Sequence, residues 1–391
     1  MKKALTILFL TSALSCGAQT IEGVLGEIEK NNLYLKSAAG NAEALKKEYH
    51  AETMPEDPEV EYNYLFGTND NGRRHDLKIT QSFDFSMLVG AKARQFRTEA
   101  KVLDLEYLST RSAILAGAEQ ICVDIVYYNA LISFLHEQIA VAESFKAVTD
   151  RQVAEGKGTK FDVGKSVLKL SALRSRTAAL VEDRNELLLQ LQALNGNKPL
   201  EFEIDDFNSL PVCAVPALDE YISEVVENNP QLRYARAKAD AAEGQLRLDK
   251  AAWAPKLTVG YMSEITTYEG FRGVTLGVAL PLWKNSSRVQ RSKAKAAASR
   301  YEAENTYIDI ISALTSQHAR MESMRNTAVE TWASLEEVNY ADYLKKARAN
   351  GEISIIEFYS EMDLFFEAYE SALDCERAYR AAVAGLNAYL R

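Results

Sequence analysis

Proline is missing from two long stretches of this chain, between Pro58 and Pro199 and from Leu282 to Arg391. Proline removes a backbone donor and clashes with the preceding turn, so its absence leaves both stretches free to form helices of unusual length. The second stretch also lacks glycine from Asn285 until Gly351, and Ala, Glu, Lys, Arg and Tyr dominate it. A helix over about 285–350 would be roughly 100 Å long at about 1.5 Å per residue, far more than a globular domain needs. The first half offers an equivalent over about 86–155, interrupted only by Gly90 and Gly117.

A short glycine-containing break follows each long helix, Gly156-Lys157-Gly158-Thr159 in one half and Asn350-Gly351-Glu352-Ile353-Ser354 in the other. Beyond the breaks the sequence carries heptads. Val163, Leu170, Leu173, Leu180, Leu187, Leu191 and Leu194 recur at steps of three and four, with Ser166, Thr177 and Arg184 as intrusions. Ile355, Phe358, Met362, Phe365, Tyr369, Ala372, Tyr379, Val383, Leu386 and Leu390 repeat the pattern, interrupted by Glu376. Sustained spacing of about 3.5 predicts coiled-coil packing. Shorter helices are expected over 21–53 and 159–195, and again over 217–253 and 354–390. The first pair equals its long helix in length and the second comes close to it, so the two short helices can stack end to end beside the long one.

The halves are a tandem duplication. Asn31-Asn32-Leu33-Tyr34-Leu35 aligns with Asn228-Asn229-Pro230-Gln231-Leu232, Pro58 with Pro255, Tyr64 with Tyr261 and Gly156 with Gly351. The repeats are read as 19–195 and 217–391, joined by a linker at 196–216. Within each, two stretches alternate in character over strand length. In the first, Val60-Tyr62-Tyr64-Phe66 and Leu77-Ile79-Phe83-Phe85 oppose Glu61, Asn63, Lys78 and Thr80. In the second, Leu257, Val259, Tyr261 and Ile265, then Val274, Leu276, Val278, Leu280 and Leu282, alternate with small or polar residues. Runs of about ten residues suit a bilayer-spanning strand, so hairpins are expected at about 59–85 and 256–283. Four strands cannot close a barrel, and an open edge cannot exist in hydrocarbon. Three copies would supply twelve.

Lys2 and Lys3 precede an apolar run from Ala4 to Leu14 and the small residues Cys16-Gly17-Ala18, the pattern of a signal peptide over 1–18. Acylation of Cys16 is the alternative, disfavoured by the position of Leu14. No other segment is apolar enough for a transmembrane helix. With 45 Lys+Arg against 55 Asp+Glu, and no basic cluster, nucleic acid is an unsuitable partner. Cys122, Cys213 and Cys375 are too scattered for a disulfide framework or a zinc site. His50, His75, His136 and His318 are isolated and read as surface or packing residues, so no metal site and no cofactor are expected. The absence of a nucleophile elbow, phosphate loop or dinucleotide fingerprint argues against an enzyme.

Signal peptide, duplication, hairpins and long helix pairs together resemble the outer-membrane factor (TolC-like) family of efflux channels. The carrying residues are Asn229-Pro230-Gln231-Leu232, Trp253-Ala254-Pro255-Lys256-Leu257 and Gly277-Val278-Ala279-Leu280-Pro281-Leu282-Trp283. The resemblance implies a mainly α fold with a small β component. It implies a homotrimer with a 12-strand barrel in the outer membrane, set in lipid, and an α-helical tunnel through the periplasm. It further implies passive conduction together with a periplasmic adaptor (membrane fusion) protein and an inner-membrane pump of the RND type. The short chain resembles the branch serving heavy-metal and small-cation pumps. A conduit for type I protein secretion uses the same architecture, and a non-conducting periplasmic coiled-coil scaffold is the competing class.

On this resemblance the breaks become periplasmic tips, with Gly156, Lys157, Gly158, Thr159, Gly351, Glu352, Ile353 and Ser354 as adaptor contacts. One turn beyond each lies a carboxylate, Asp162 or Glu357, and three copies of Glu357 would ring the axis as a cation-favouring constriction. The plainer reading is that acidic residues suit helix N-termini. Lys157 and Lys160 are read as solvated, with ion pairs to Glu352 or Glu357 of a neighbouring hairpin as the alternative.

Overall fold

The computed structural model describes residues 20–67, 72–84, 90–202, 204–210, 215–280 and 285–391. The predicted signal peptide with Cys16, and Phe85, Cys213, Pro281, Leu282 and Trp283, lie outside the described residues. In chain order the elements are α1 (Ile21–Asn31), α2 (Leu33–Ala51), β1 (Glu59–Phe66), β2 (Arg73–Phe83), α3 (Ala91–Ala154) and α4 (Lys160–Leu194). A 3-10 turn at Phe207–Ser209 precedes α5 (Leu218–Asn228), α6 (Pro230–Ala251), β3 (Lys256–Thr266), β4 (Gly270–Ala279), α7 (Asn285–Val338), α8 (Tyr340–Ala349) and α9 (Ile355–Asn387). The chain is mainly helical with one small sheet among the described residues, as expected, and the order helix, helix, hairpin, long helix, helix runs twice, with the second long helix divided into α7 and α8.

Three helices expected to be continuous are interrupted. The one over 21–53 breaks at Asn32 and the one over 217–253 at Asn229, at φ/ψ of −56°/122° and −59°/122°. Each asparagine leaves the helical region and turns its Oδ1 onto the first turn of the next helix. Asn32 accepts from the Leu35 N–H at 2.9 Å and Asn229 from the Leu232 N–H at 2.8 Å, which restarts the helix with an N-cap. Pro230 follows at the first helical position, where its missing donor is harmless. The helix over 285–350 breaks at Asn339, whose φ of 42° and ψ of 44° are left-handed, a conformation asparagine tolerates better than most residues.

The chain forms two compact units, each drawing on both repeats. Of the described residues, one comprises 20–31, 118–202, 204–210 and 324–381. In it the α4 heptad is the buried seam, with Ser166, Leu170, Leu173, Thr177 and Leu191 inside. The polar intrusions are satisfied locally: Ser166 Oγ donates to the Val163 carbonyl at 2.8 Å and Thr177 Oγ1 to the Leu173 carbonyl at 2.9 Å. Phe134, Leu344, Met362 and Phe366 form an apolar cluster bordered by Tyr340, Phe358 and Tyr369. Trp332 meets Tyr369 edge-on at 5.2 Å.

The other unit comprises, of the described residues, 32–67, 72–84, 90–117, 215–280, 285–323 and 382–391. Val102 and Leu105 of α3 pack on Ala237 and Ala241 of α6. Its sheet has the order β1-β2-β3-β4, antiparallel throughout, so the β2–β3 pairing joins the two predicted hairpins into one surface. Register aligns Val60, Ile79, Tyr261 and Val274 across the four strands. That face is apolar yet exposed, Val60 by 66% and Leu276 by 77%. The opposite face is polar: Arg74 bridges Asp76 at 2.9 Å and Glu264 at 3.2 Å, and Ser82 meets Thr258 at 2.9 Å. Polarity is therefore inverted relative to a water-soluble sheet, as a lipid-facing wall requires. Gly260 is required by close packing, because a Cβ there would lie 2.6 Å from the Ile79 carbonyl oxygen.

Candidate functional site at the helical tips

Both predicted tips lie in the first unit and are built by the same local chemistry. Gly156 and Gly351 take φ of 74° and 76°, left-handed positions that glycine adopts without steric cost. After α3, the Lys157 N–H donates to the Gln152 carbonyl at 2.8 Å and the Gly156 N–H to that of Val153 at 3.1 Å. After α8, the Glu352 N–H donates to the Ala347 carbonyl at 2.9 Å and the Gly351 N–H to that of Arg348 at 3.1 Å. Both are Schellman caps, closing the carbonyls left open at a helix end.

The chain then starts a new helix by a capping box. Thr159 Oγ1 accepts from the Asp162 N–H at 3.2 Å, and Asp162 Oδ2 accepts from the Thr159 N–H at 3.1 Å and its hydroxyl at 2.6 Å. Ser354 Oγ accepts from the Glu357 N–H at 3.1 Å, and Glu357 Oε2 accepts from the Ser354 N–H at 2.8 Å. The Thr159 hydroxyl and N–H hold the Asp162 carboxyl below its ordinary range, and the Ser354 N–H does the same for Glu357. Each carboxylate uses a single oxygen in these bonds, and Glu357 is exposed.

The structure thus brings Thr159 together with Asp162, and Ser354 with Glu357. No hydrogen bond or ion pair joins one tip to the other among the described residues. Lys157 pairs with Glu155 at 3.0 Å, and Asn350 Nδ2 donates to Glu352 at 3.0 Å. Ile353 is half-buried against the Phe134 cluster. Sequence reasoning missed Phe161 and Ile356, the apolar residues just before the two carboxylates, which are 78% and 48% exposed. Their signal was present: both stand between a cap and its box partner, outside the heptad seam.

No group of His, Cys, Asp and Glu among the described residues could hold a metal ion. Cys122 and Cys375 are in no disulfide among the described residues. No described helix is long and apolar enough to cross a membrane.

Residues 221–390 match the family model described as outer membrane efflux protein. The fold is similar to solved structures of outer-membrane channel proteins. CusC is 16% identical, with 95% of this chain and 92% of that one covered at a TM-score of 0.78. The Campylobacter jejuni CmeC outer membrane channel is 14% identical over 95% and 85%, at 0.76. The outer membrane protein VceC of Vibrio cholerae is 13% identical over 95% and 94%, at 0.71. No curated protein sequence matches.

Proposed function

We propose, from the premise that this chain has the fold of the outer-membrane efflux channels, that it is the passive outer-membrane subunit of a tripartite efflux system. The observation that carries this reading is the inverted sheet. Its apolar face is exposed, and β1 and β4 are edges with no further partner strand among the described residues. Hydrocarbon does not tolerate open edges, so β4 of one copy would pair with β1 of the next, and three copies would close a barrel of twelve strands. The helical repeats, 19–195 and 217–391 with the linker 196–216, would then form the periplasmic tunnel.

The tips at Gly156–Thr159 and Gly351–Ser354 would meet a periplasmic adaptor protein, with the exposed Phe161 and Ile356 as apolar contacts, and an inner-membrane pump of the RND type would supply the energy. The channel performs no chemistry of its own. Three Glu357 carboxylates about the axis, backed by Asp162, would favour cations, and the capping bonds that keep each ionised in the protomer support that role. Small or heavy-metal cations are the cargo most compatible with such a ring.

Single-channel conductance of the detergent-purified protein in planar bilayers, with its oligomer mass measured alongside, tests the reading. A trimer with a small, cation-selective conductance is expected; a water-soluble protein without conductance would overturn it. Glu357→Gln should weaken block by divalent cations, and unchanged block would remove Glu357 from the gate.

A further inference from the structure

The exposed apolar face of the sheet also carries two arginines and a histidine, all in the half nearer the hairpin turns. Arg73 stands beside Phe66, His75 beside Tyr64 and Ile265, and Arg272 beside Ser263. Strand alternation puts all three on the face of Val60, Tyr261 and Leu276. They are the first and third residues of β2 and the third of β4, and all lie in the half of the sheet nearer the hairpin turns: Arg73 in the row of Phe66, His75 in that of Ile265 and Gly270, and Arg272 in that of Leu77 and Ser263. No Asp or Glu occupies this face in any of the four strands.

On the opposite face the cations are answered within the sheet, Arg74 by Asp76 and Glu264. Arg73 and Arg272 form no ion pair among the described residues. Closing the barrel does not supply one, because the face of β1 that would come beside Arg272 holds Val60, Tyr62, Tyr64 and Phe66. His75 is oriented by Tyr62, whose hydroxyl meets Nδ1 at 2.7 Å, and its ring packs edge-on against Tyr64 at 4.6 Å. Phe66 and Tyr268 are exposed at the same end, where aromatic side chains mark a membrane interface.

A guanidinium facing lipid is unfavourable at the bilayer midplane and tolerated near its surface. There the available anion is a lipid phosphate, which a guanidinium fork binds in bidentate fashion. We infer that the turn half of this face binds the phosphate groups of membrane lipid in the leaflet on the turn side, through Arg73 and Arg272, with His75 between their rows. The acyl chains of that lipid would lie on Val274 and Leu276. This rests on the channel reading above.

The test is native mass spectrometry of the full protein in mild detergent, titrated with bisphosphorylated lipid A and with the same glycolipid after removal of its phosphates. The phosphorylated lipid should be retained preferentially. R73Q/R272Q should reduce that retention roughly tenfold or more, since two charge-assisted contacts are lost. K78Q, which removes a cation from the opposite face, should retain as much as the unaltered protein. Equal retention of the two lipids by the unaltered protein would overturn the proposal without any variant, as would equal retention by R73Q/R272Q. Conductance of the same preparation separates the two failures. A conducting channel indifferent to phosphate loses only the lipid site, and a non-conducting soluble protein loses the channel reading with it.

Discussion

Replacing Asn229 by Ala removes two hydrogen bonds from a side chain that is only 4% exposed. Its Oδ1 caps α6 through the Leu232 N–H, and its Nδ2 donates to the Tyr389 carbonyl at 2.8 Å. Loss of an N-cap costs about 0.5–2 kcal/mol, and an orphaned buried acceptor about 1–3 kcal/mol. Tyr389 is only half-buried, so the lower part of the second range applies and the sum is roughly 2–3 kcal/mol. Pro230 still fixes the start of α6, so the break itself should persist. Asn229→Asp separates the two contributions. It keeps the capping oxygen and suits the positive end of the α6 dipole, but it cannot donate to Tyr389, so its loss should be about half that of Asn229→Ala. Guanidinium unfolding followed by helical circular dichroism, in detergent at fixed protein concentration, should rank wild type above Asn229→Asp and Asn229→Asp above Asn229→Ala. An Asn229→Ala protein within about 0.5 kcal/mol of wild type, or an Asn229→Asp protein less stable than it, would refute the reasoning.

Two further outcomes follow from buried and capping carboxylates. Asp249, fully buried, accepts from Arg288 Nε at 2.7 Å, from Gln245 Nε2 at 2.9 Å and from the Ser292 hydroxyl. Arg288→Ala should destabilise by about 2–4 kcal/mol, discounted because the arginine is partly exposed, and Arg288→Ala/Asp249→Asn should recover part of the loss in the same unfolding assay. At the tips, the folded carboxyls of Asp162 and Glu357 lie below their ordinary values of 3.8 and 4.5. Their contribution is therefore fully present above those values and is lost as pH falls through them towards the lower folded ones. Tip amide protection, corrected for intrinsic exchange, should be flat from neutral pH to about 5 and fall below it. Asp162→Asn/Glu357→Gln should lower the neutral-pH level and remove the acid dependence.

Much of the fold was legible because burial is periodic. The α4 seam could be read from its leucines even across Ser166 and Thr177, since each hydroxyl bonds its own helix and leaves the spacing intact. The helix breaks at Asn32 and Asn229 were present in the aligned Asn-Asn pairs, but a capping asparagine and an exposed helical one look alike until the chain turns. Asn339 had no such signal. Its left-handed turn is not offset by a side-chain cap; what offsets it is tertiary packing, with Leu344 seated among Phe134, Met362 and Phe366 and Tyr340 donating to Glu361. At the tips, Thr159-x-x-Asp162 and Ser354-x-x-Glu357 were readable as helix starts. A ring of carboxylates belongs to an assembly of copies, which no single chain spells out.

The sheet shows how far a one-residue shift in parity carries. Arg73 and Arg74 are adjacent, and composition alone treats them alike. Register places Arg74 opposite Leu65 on the polar face, where Asp76 lies two residues along and Glu264 reaches across from β3. It places Arg73 opposite Phe66, on a face with no carboxylate in four strands. The first arginine to be neutralised is the one whose partners sit at the same parity, and the alternation of β2 and β3 forces that outcome. Arg73 and Arg272 share the other parity, so their counter-charge has to come from outside the sheet. The same alternation that makes this face a wall for lipid therefore also decides which cations lipid must satisfy.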